Sequence, residues 1–398
     1  MCARQSMNCI VPPHILRKLL ESKDRQLRAA ALRSLLISGQ IRAQRTILAG
    51  LPAATSGGGR RRTIYDARNG EPDPPTGVRV RGEGDPPSKD SAVNEAYDGL
   101  GSTYDFYKTV LCRNSLDGRG MRLDAIVHYG EGFDNAFWDG QRMVFGDGDQ
   151  ELFTGFTGAL EVIAHELTHG VTEFTAGLEY HNQPGALNES VSDVFGSLVK
   201  QWKLGQDAAS ADWLIGESIF TPGLKGDALR SLKAPGDAYD NPMFGKDPQP
   251  RHMDDYQSLP DTREGDWGGV HINSGIPNHA FYLAAIGIGG NAWEAAGRIW
   301  YETLTRHCGP EAQFQTFADA TVAVAGRLYG SSSLQQSAVR DAWRTVGIAV
   351  EVAVSPSPRF TPAPSPYNGH GDSLEQLQDH VAALAAKVDR LEKSLVIA

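Results

Sequence analysis

Two histidines stand four residues apart in the segment VIAHELTHGVTE, residues 162–173, and a glutamate directly follows the first of them. Residues i and i+4 share one face of an α-helix, so His165 and His169 can direct imidazole nitrogens at a common point about 2 Å from each. Neutral imidazoles on a rigid helix suit Zn²⁺, an ion without redox chemistry. A solvated helix face can also carry this pattern, so further ligands have to be found elsewhere in the chain.

A catalytic zinc site uses three protein ligands and keeps one position open for water. The segment NESVSD offers Glu189 as the third ligand, twenty residues after His169, which leaves room for a loop and the start of a second, antiparallel helix. Asp193 lies one turn after Glu189 on the same face and can accept a hydrogen bond from the non-ligating nitrogen of a zinc histidine. Together these four side chains predict a hydrolytic zinc site.

The elements that must position these residues change in character along the chain. From TIYDAR to about residue 149, glycine, aspartate and short β-branched or aromatic runs predict a mainly antiparallel, β-rich lobe. From about residue 155 the apolar residues recur at helical spacing. This second pattern predicts helices over 156–175, 187–204, 274–288, 292–306, 311–328 and 334–346. The predicted fold class is therefore α+β with two lobes, and the zinc site lies on helices between them.

The length and composition exclude several classes of protein. With 398 residues, 40% of them hydrophobic and 22% charged, the chain fits a globular protein of two lobes with appendages. No apolar run reaches the roughly 20 residues of a membrane-spanning helix. The start MCARQSMNCIVPPHILRK lacks a secretory signal pattern, and four scattered cysteines fit synthesis in a reducing compartment. We therefore expect no membrane span, and a cytoplasmic location or release by an unconventional route.

The charge of the chain is distributed unevenly. Residues 1–62 hold twelve Arg and Lys against two acids, a net charge of +10, and the remaining 26 basic and 46 acidic residues leave the body at −20. A basic arm of this kind can dock on its own acidic body, but it also fits a nucleic-acid arm, a membrane-surface helix or a transit peptide. Residues 14–37 have the spacing of a basic amphipathic helix, and ATSGGGRRR at 54–62 is a flexible junction.

The C-terminal segment differs from the body. Residues 351–372 form a Pro-rich linker that cannot pack a core. The helix predicted over 373–398 carries Leu or Val at alternating steps of three and four residues between positions 374 and 395, which is a heptad seam. We expect this seam to form a homo-oligomer; the alternative is a helix that lies on its own catalytic lobe.

Several segments, in order along the chain, carry a resemblance to a known family: NAFWDGQRMVFGDGD, VIAHELTHGVTEFTAGLEYHNQPGALNESVSDVFGSLV, GDALRSL, GDWGGVHINSGIPNHAFY and ADATVAVAGRLYGSSSLQQSAVRDAWRTVGI. From about Tyr65 to Ile348 the chain resembles the thermolysin-like zinc metalloproteases, and its short PPHIL prosegment is similar to that of the protealysin subgroup. The resemblance implies a zinc-dependent neutral endopeptidase with the zincin fold, made as a self-inhibited zymogen. The expected domains are a basic prosegment (1–55), a β-rich lobe ending in the HExxH helix (56–175), an α-helical lobe (176–350), the linker (351–372) and the heptad helix (373–398).

The resemblance implies catalytic roles for residues that match the family's motifs, with the same three zinc ligands. Glu166 would take a proton from the zinc-bound water and pass it to the departing amine. Tyr180 in GLEY and His271 in GGVHINSG would offset the charge of the developing oxyanion. Asp266 would pair with that histidine and keep it oriented or protonated.

The resemblance also implies how a substrate is held. Asn135 and the backbone of Ala136 would anchor the substrate strand by edge pairing, and Arg230 would hold a substrate carbonyl beyond the cut. An apolar pocket for the residue after the scissile bond would be lined by Phe153, Val162 and Leu229. This pocket implies cleavage before bulky hydrophobic residues.

The main calcium site of the family is expected to be lost. Asp147, Asp212 and Glu217 are kept, but Lys200 and Leu214 fall where family acids are expected. A lysine ammonium beside three carboxylates can neutralise them without a metal. We therefore expect one zinc ion and no calcium at this position.

The basic arm is expected to act as an intramolecular inhibitor of the protease. Its charge attracts it to the acidic body, and VPPHIL offers a stiff, extended strand for the cleft. Cleavage near residues 50–62, which removes the arm, would then activate the enzyme. A thiolate of Cys9 on the zinc is an open alternative.

Two functions from other classes compete with the protease. A non-catalytic zinc-binding assembly protein would need none of Glu166, Tyr180 and His271, and would usually close the fourth metal position with Cys or His. A membrane- or nucleic-acid-binding protein that uses the basic arm would bind with a strong dependence on salt. Since all three residues are present, we favour a protease with peptide or protein substrates and no nucleic-acid partner.

Overall fold

The computed structural model of the chain describes residues 9–48, 58–72 and 74–350. The chain divides into two units, Met1–Pro356 and Ser357–Ala398, and all described residues belong to the first. Both predicted catalytic lobes lie within this one unit. The predicted linker and heptad helix, residues 351–398, lie outside the described residues, so the coiled coil stays a prediction. Among the described residues, no helix combines the length and the apolarity that crossing a membrane would require.

The N-terminal half of the body is a five-stranded sheet with one long helix. Its elements are β1 (Arg62–Asp66), β2 (Val78–Gly82), α3 (Ser91–Thr109), β3 (Leu123–Val127), β4 (Ala136–Trp138) and β5 (Arg142–Phe145), preceded by two prosegment helices, α1 (Pro13–Leu19) and α2 (Arg25–Leu48). The C-terminal half is mainly helical, as predicted. Its elements are α4 (Leu160–Glu173), α5 (Asn182–Leu204), the short strands β6 (Leu214–Ile215), β7 (Arg230–Ser231), β8 (Asp240–Asn241) and β9 (Gly245–Lys246), then α6 (Asp266–Asn273), α7 (Gly275–Ile288), α8 (Ala295–Arg306), α9 (Phe314–Tyr329) and α10 (Leu334–Thr345).

The sheet has the order β2-β1-β3-β5-β4 and is mixed, so the prediction of a mainly antiparallel lobe is wrong. β1 pairs with β3, and β3 with β5, in parallel, whereas the two outer pairs are antiparallel. A parallel pair needs a long crossover, and α3 supplies the one between the first and third strands. Asp90 caps α3 by accepting the backbone N–H of Ala92 at 2.9 Å. This helix was not predicted, and the topology leaves β4 at the edge of the sheet beside α4.

The helices α4 and α5 pack closely against each other and carry most of the residues of interest. Gly196 of α5 permits this approach, because a Cβ atom there would lie 2.6 Å from the carbonyl oxygen of Glu161 on α4. Both helices are almost wholly buried. The short distance between the two axes brings side chains twenty residues apart in sequence to a common point.

The prosegment differs from the single helix predicted over 14–37. Asp24 interrupts it, because its carboxylate accepts the backbone N–H of Gln26 at 2.7 Å and so starts a second helix. The motif VPPHIL is not an extended strand throughout either. Pro12 is extended, but α1 begins at Pro13, a residue whose fixed φ suits the first turn of a helix.

Candidate metal centre and adjacent cleft

His165 and His169 lie on the buried face of α4, and neither ring is exposed to solvent. Their Nε2 atoms face each other at 3.0 Å. Glu189 of α5 approaches both rings: its Oε2 is 3.5 Å from Nε2 of His165, and its Oε1 is 3.5 Å from Nε2 of His169. Among the described residues, Oε2 of Glu189 accepts no hydrogen bond although it is buried.

The distances between the two rings, and from each ring to one oxygen of Glu189, have the size that zinc requires. Ligand atoms about 2.0–2.2 Å from a tetrahedral ion are separated by about 3.3–3.5 Å, close to the observed 3.0 and 3.5 Å. Two imidazoles and a carboxylate are also the donor set of hydrolytic zinc sites. The residues present therefore fit a zinc ion.

Each metal-facing histidine is oriented through its other ring nitrogen. Nδ1 of His165 lies 2.8 Å from Oδ1 of Asp193. Nδ1 of His169 lies 2.8 Å from Oδ1 of Asn188 and 3.0 Å from Oγ of Ser192. An acceptor at Nδ1 fixes the proton there and leaves the Nε2 lone pair for a metal. Asn188 and Ser192 were missed, although both stand in the NESVSD segment that supplies Glu189.

Glu166 also lies near the histidines, and its side chain is fully buried. One ligand atom each from His165, Glu166 and His169 lie within 4.8 Å of one another. Glu166 differs from Glu189 in its surroundings, because its Oε2 accepts the backbone N–H of Trp138 on β4 at 3.1 Å. Glu189 approaches both rings, so it could hold a metal as the third ligand, with Glu166 beside it.

Tyr180, His271 and Asp266 form a chain of contacts that ends at Glu189. The hydroxyl oxygen of Tyr180 lies 3.1 Å from Nε2 of His271 and donates a hydrogen bond to Glu189. Nδ1 of His271 lies 2.7 Å from Oδ1 of Asp266. Burial opposes the charged imidazolium, but the nearby Asp266 and Glu189 carboxylates raise the pKa of His271 above its ordinary value. The pair can therefore present a proton at Nε2.

The tight entry into α6 explains the sequence DWGGVH around this histidine. Asp266 and the three residues after it all have positive φ angles. At Gly268 a Cβ atom would lie 2.2 Å from the side chain of Asn182, so only glycine fits there. The turn allows Oδ2 of Asp266 to accept the backbone N–H of His271 at 2.9 Å. The carboxylate is thereby fixed to both the backbone and the ring of the histidine.

Arg230 is fully buried and is held by Asp193. Its Nε and Nη2 donate to the two carboxylate oxygens of Asp193, each at 2.8 Å, and the amide of Asn278 donates to the same carboxylate at 2.9 Å. Burial opposes the ionised carboxylate, but Arg230 and His165 hold the pKa of Asp193 well below its ordinary value. Asp193 therefore connects the metal-facing His165 to Arg230, a link that the sequence did not predict.

The edge strand β4 and Arg230 bind a segment of the chain's own N-terminus. Cys9 forms an antiparallel bridge with Phe137. The N–H of Ile10 donates to the carbonyl of Ala136 at 3.2 Å, and the N–H of Val11 donates to Oδ1 of Asn135 at 3.0 Å. On the other side, Nη1 of Arg230 donates to the carbonyl of Ile10 at 2.9 Å, and Nε2 of His271 lies 3.1 Å from the carbonyl oxygen of Cys9.

The thiol of Cys9 has a different partner. It donates to Oγ of Ser38 on α2 at 3.7 Å and is buried in a small apolar cluster with Phe137. Within the described part of the chain, the one group of residues suited to a metal contains no cysteine. The contact with Ser38 places the Cys9 thiol against α2, and a Cys9 thiolate on the zinc stays an open alternative.

The residues predicted to line an apolar pocket lie together in the main core. Phe153, Val162 and Leu229 are all buried, in the same hydrophobic cluster as Ile10 of the N-terminal segment. The ring of Phe153 also contacts three aromatic rings that were not predicted. These are Phe156, Phe220 and Phe244, with ring centroids 5.6–5.9 Å from that of Phe153.

The lysine that was expected to replace calcium lies in an acidic group. Nζ of Lys200 is 2.8 Å from Asp212, 3.5 Å from Glu217 and 3.9 Å from Glu161. The third acid is therefore Glu161 and not Asp147, which corrects the prediction. Both oxygens of Asp147 lie 2.9 Å from Nδ1 of His128, and this hydrogen bond raises the pKa of His128 to about 9.

Leu214 lies beside the same acidic group through its backbone, since its N–H donates to Asp212 at 2.9 Å. If the ammonium of Lys200 balances these carboxylates, added calcium should leave the thermal midpoint of the protein unchanged. Replacing Lys200 by Gln should lower that midpoint, because Glu161 is buried, and calcium should then raise it again. A wild-type midpoint that rises with calcium would contradict this expectation. Calorimetry with calcium or a calcium chelator makes the comparison.

With this geometry established, comparison with known proteins gives one consistent family. Residues 60–173 match the family model described as thermolysin metallopeptidase, catalytic domain, and residues 176–348 match thermolysin metallopeptidase, alpha-helical domain. An extracellular metalloprotease of Pectobacterium carotovorum subsp. carotovorum is 49% identical over 348 residues, which is 86% of this chain and 96% of that protein. Protease PrtS of Photorhabdus sp. (strain Az29) is 52% identical over 291 residues, 73% of this chain and 77% of that protein.

A solved structure shows the same likeness. It is the precursor of protealysin, a metalloproteinase from Serratia proteamaculans, with a TM-score of 0.77 and 50% sequence identity. The match covers 86% of this chain and all of that one. The predictions of an α+β fold and of likeness to the protealysin subgroup are both confirmed.

Proposed function

The chain belongs to the thermolysin family of metallopeptidases, and on that premise we propose which of its residues bind zinc, which bind the peptide and which carry protons. It is a zinc-dependent neutral endopeptidase made as a zymogen. The observation that carries the residue assignment is the triangle formed by His165, His169 and Glu189, with Glu166 beside it.

The zinc would be held by Nε2 of His165, Nε2 of His169 and the carboxylate of Glu189. The bound ion supplies a Lewis acid and brings the pKa of a water molecule toward neutrality. Asp193 and Asn188 keep the two imidazoles in the tautomer that leaves Nε2 free for the metal. These two residues are proposed to be positioning residues, because they act through the histidines.

Glu166 is proposed to be the general base. Its carboxylate would accept a proton from the attacking water and later donate it to the nitrogen of the departing amine. Tyr180 and His271 would donate hydrogen bonds to the oxygen on which negative charge develops. Asp266 would keep His271 oriented and protonated, which the contact of 2.7 Å between them supports.

The contacts of the N-terminal segment support a binding mode for substrates. A peptide would pair with β4 through Asn135 and Ala136, and Arg230 would hold the carbonyl of the residue after the cut. That residue's side chain would enter the apolar cluster formed by Phe153, Val162 and Leu229. We therefore propose cleavage on the N-terminal side of bulky hydrophobic residues.

The same contacts support inhibition by the prosegment. Residues 9–11 take up the pairing positions that a substrate would use. Further contacts hold the rest of the prosegment on the body. Arg17 donates to the carbonyls of Arg263 and Glu264, and Oγ of Ser34 accepts the N–H of Asp134 at 3.0 Å. A substrate would therefore have to displace this segment before it could bind.

Digestion of a peptide library tests this proposal. The processed chain should cut before Leu, Ile, Val and Phe, and a zinc chelator should abolish cleavage until zinc is returned. Cleavage that does not depend on the residue after the scissile bond would contradict the proposed pocket. If a chelator leaves the rate of cleavage unchanged, hydrolysis does not require the metal.

Assembly and location are proposed on the sequence alone. The heptad seam between residues 374 and 395 would join copies of the chain. Light scattering should therefore find more copies per particle for the full chain than for a chain that ends at residue 350. Equal association states would reject the seam. We further propose a cytoplasmic location or unconventional release, which fractionation of producing cells and medium would test.

A further inference from the structure

The N-terminal segment enters the cleft in a defined direction and register. Its residues 9–11 run antiparallel to β4, and successive backbone groups meet the residues proposed to bind a substrate. The N–H groups of Ile10 and Val11 are bound by Ala136 and Asn135. The segment therefore runs antiparallel to β4 and presents successive N–H groups to the residues proposed to bind a substrate.

The register identifies one peptide bond. Arg230, proposed to hold the carbonyl of the residue after a cut, donates to the carbonyl of Ile10 at 2.9 Å. The preceding carbonyl, that of Cys9, lies 3.1 Å from Nε2 of His271, the atom proposed to face the developing oxyanion. The hydroxyl of Tyr180 is also 3.1 Å from that Nε2, so the second proposed oxyanion donor contacts the same histidine. The bond between Cys9 and Ile10 thus stands at the reacting position.

The side chains on either side of this bond do not obstruct cleavage. Ile10 is a bulky hydrophobic residue, fully buried in the cluster that contains the proposed pocket, as expected of a residue that follows a cut. Cys9 directs its thiol to Ser38. Pro12 and Pro13 come two and three residues after Ile10, so Ile10 and Val11 keep the N–H groups that Ala136 and Asn135 bind. Proline ends the strand there without changing the bond at the site.

We propose that the zymogen hydrolyses its own Cys9–Ile10 bond, and this inference rests on the proposed function. The oxygen of a water molecule bonds to the carbonyl carbon of Cys9, and the bond from that carbon to the nitrogen of Ile10 breaks. One proton of the water passes through Glu166 to this nitrogen, and the second follows when the new carboxylic acid ionises, so the nitrogen ends with three protons. The products are a peptide of residues 1–9 that ends in a carboxylate and a chain that begins with the ammonium group of Ile10.

This cut weakens the binding of the N-terminal segment in the cleft without releasing the rest of the prosegment. Cys9 contributes its bridge to Phe137, its thiol contact to Ser38 and its burial in the apolar cluster, and all three are lost when residues 1–9 leave. The contacts of Arg17 with the carbonyls of Arg263 and Glu264 lie beyond the cut and persist. Cleavage at this bond is therefore an internal first step, separate from removal of the prosegment near residues 50–62.

Intact-mass and N-terminal analysis of the zinc-loaded full chain tests the proposal. We expect residues 1–9 to be released and a new N-terminus to appear at Ile10, at a rate that does not depend on protein concentration because the bond lies in its own cleft. Replacing Glu166 by Gln should slow this release by about a hundredfold or more. Ile10→Leu should keep the cut, and Ile10→Asp should slow it by about tenfold or more, because a carboxylate would enter an apolar site.

A reporter peptide separates the two ways in which the test can fail. If the processed chain hydrolyses a reporter with Leu after the cut, but the Cys9–Ile10 bond stays intact throughout processing, this inference is wrong and the proposed function stands. If release of residues 1–9 occurs only at a rate that rises with protein concentration, cleavage in its own cleft is likewise rejected. If neither the reporter nor the bond is cut with zinc bound, the proposed function itself fails.

Discussion

Glu166→Gln should abolish peptide hydrolysis while leaving zinc bound. The amide has the same shape as the carboxylate but cannot accept a proton, so the loss of general base catalysis should lower kcat by about 10²–10⁴-fold. The metal should remain, because His165, His169 and Glu189 supply the three proposed ligands. Measurement of kcat on a reporter peptide, together with the zinc content of the same sample, tests both parts.

A second glutamate on the same helix provides the control. Glu173 lies at the C-terminal end of α4, two turns beyond Glu166, and is partly exposed. Glu173→Gln should therefore leave kcat within about twofold of the wild-type value. Equal losses in the two variants, or a Glu166→Gln protein without zinc, would mean that Glu166 acts as a structural residue or as a ligand.

Arg230→Met should destabilise the protein and weaken substrate binding together. Methionine matches the length of the side chain but leaves the carboxylate of Asp193 buried without its main cation, which should cost about 3–5 kcal/mol in the free energy of unfolding. The lost hydrogen bond to a substrate carbonyl should raise KM. Urea unfolding of the full chain and kinetics of the processed chain measure the two effects.

Arg251 supplies a matched ion pair at the surface. It lies 2.6 Å from Asp237, and both side chains are half exposed, 50% and 52%. Water screens such a pair, so Arg251→Met should cost less than about 1 kcal/mol and leave KM unchanged. If the two methionine variants unfold at the same urea concentration, the buried Arg230–Asp193 pair does not stabilise the protein more than the surface pair does.

The part of the site that could be predicted from residues alone is the part made by local geometry. His165 and His169 face one point because they are one helical turn apart, and Asp193 shares a face with Glu189 for the same reason. The meeting of the two helices depends on a close approach at Gly196, which spacing cannot reveal. Resemblance to the family supplied Tyr180, His271 and the other residues brought in from distant segments.

The errors come from contacts between distant parts of the chain and, in the prosegment, from local helix starts. The parallel strands depend on a crossover helix, α3, that was hidden in a stretch predicted to be mainly strands and loops. Asp147 was grouped with Lys200, whereas it contacts His128, nineteen residues earlier. The prosegment was predicted to be one helix and one strand, but Asp24 and Pro13 start separate helices. Each outcome depends on a partner or a cap that periodicity does not specify.

The most direct test of the central claim is the position of the metal in crystals of the zinc-loaded chain. Diffraction data collected on both sides of the zinc absorption edge locate the ion without reference to any assumed ligand. We predict one strong peak about 2.0–2.2 Å from Nε2 of His165, from Nε2 of His169 and from a carboxylate oxygen of Glu189. A peak bound by Glu166 in place of Glu189, or zinc found only elsewhere in the protein, would contradict it.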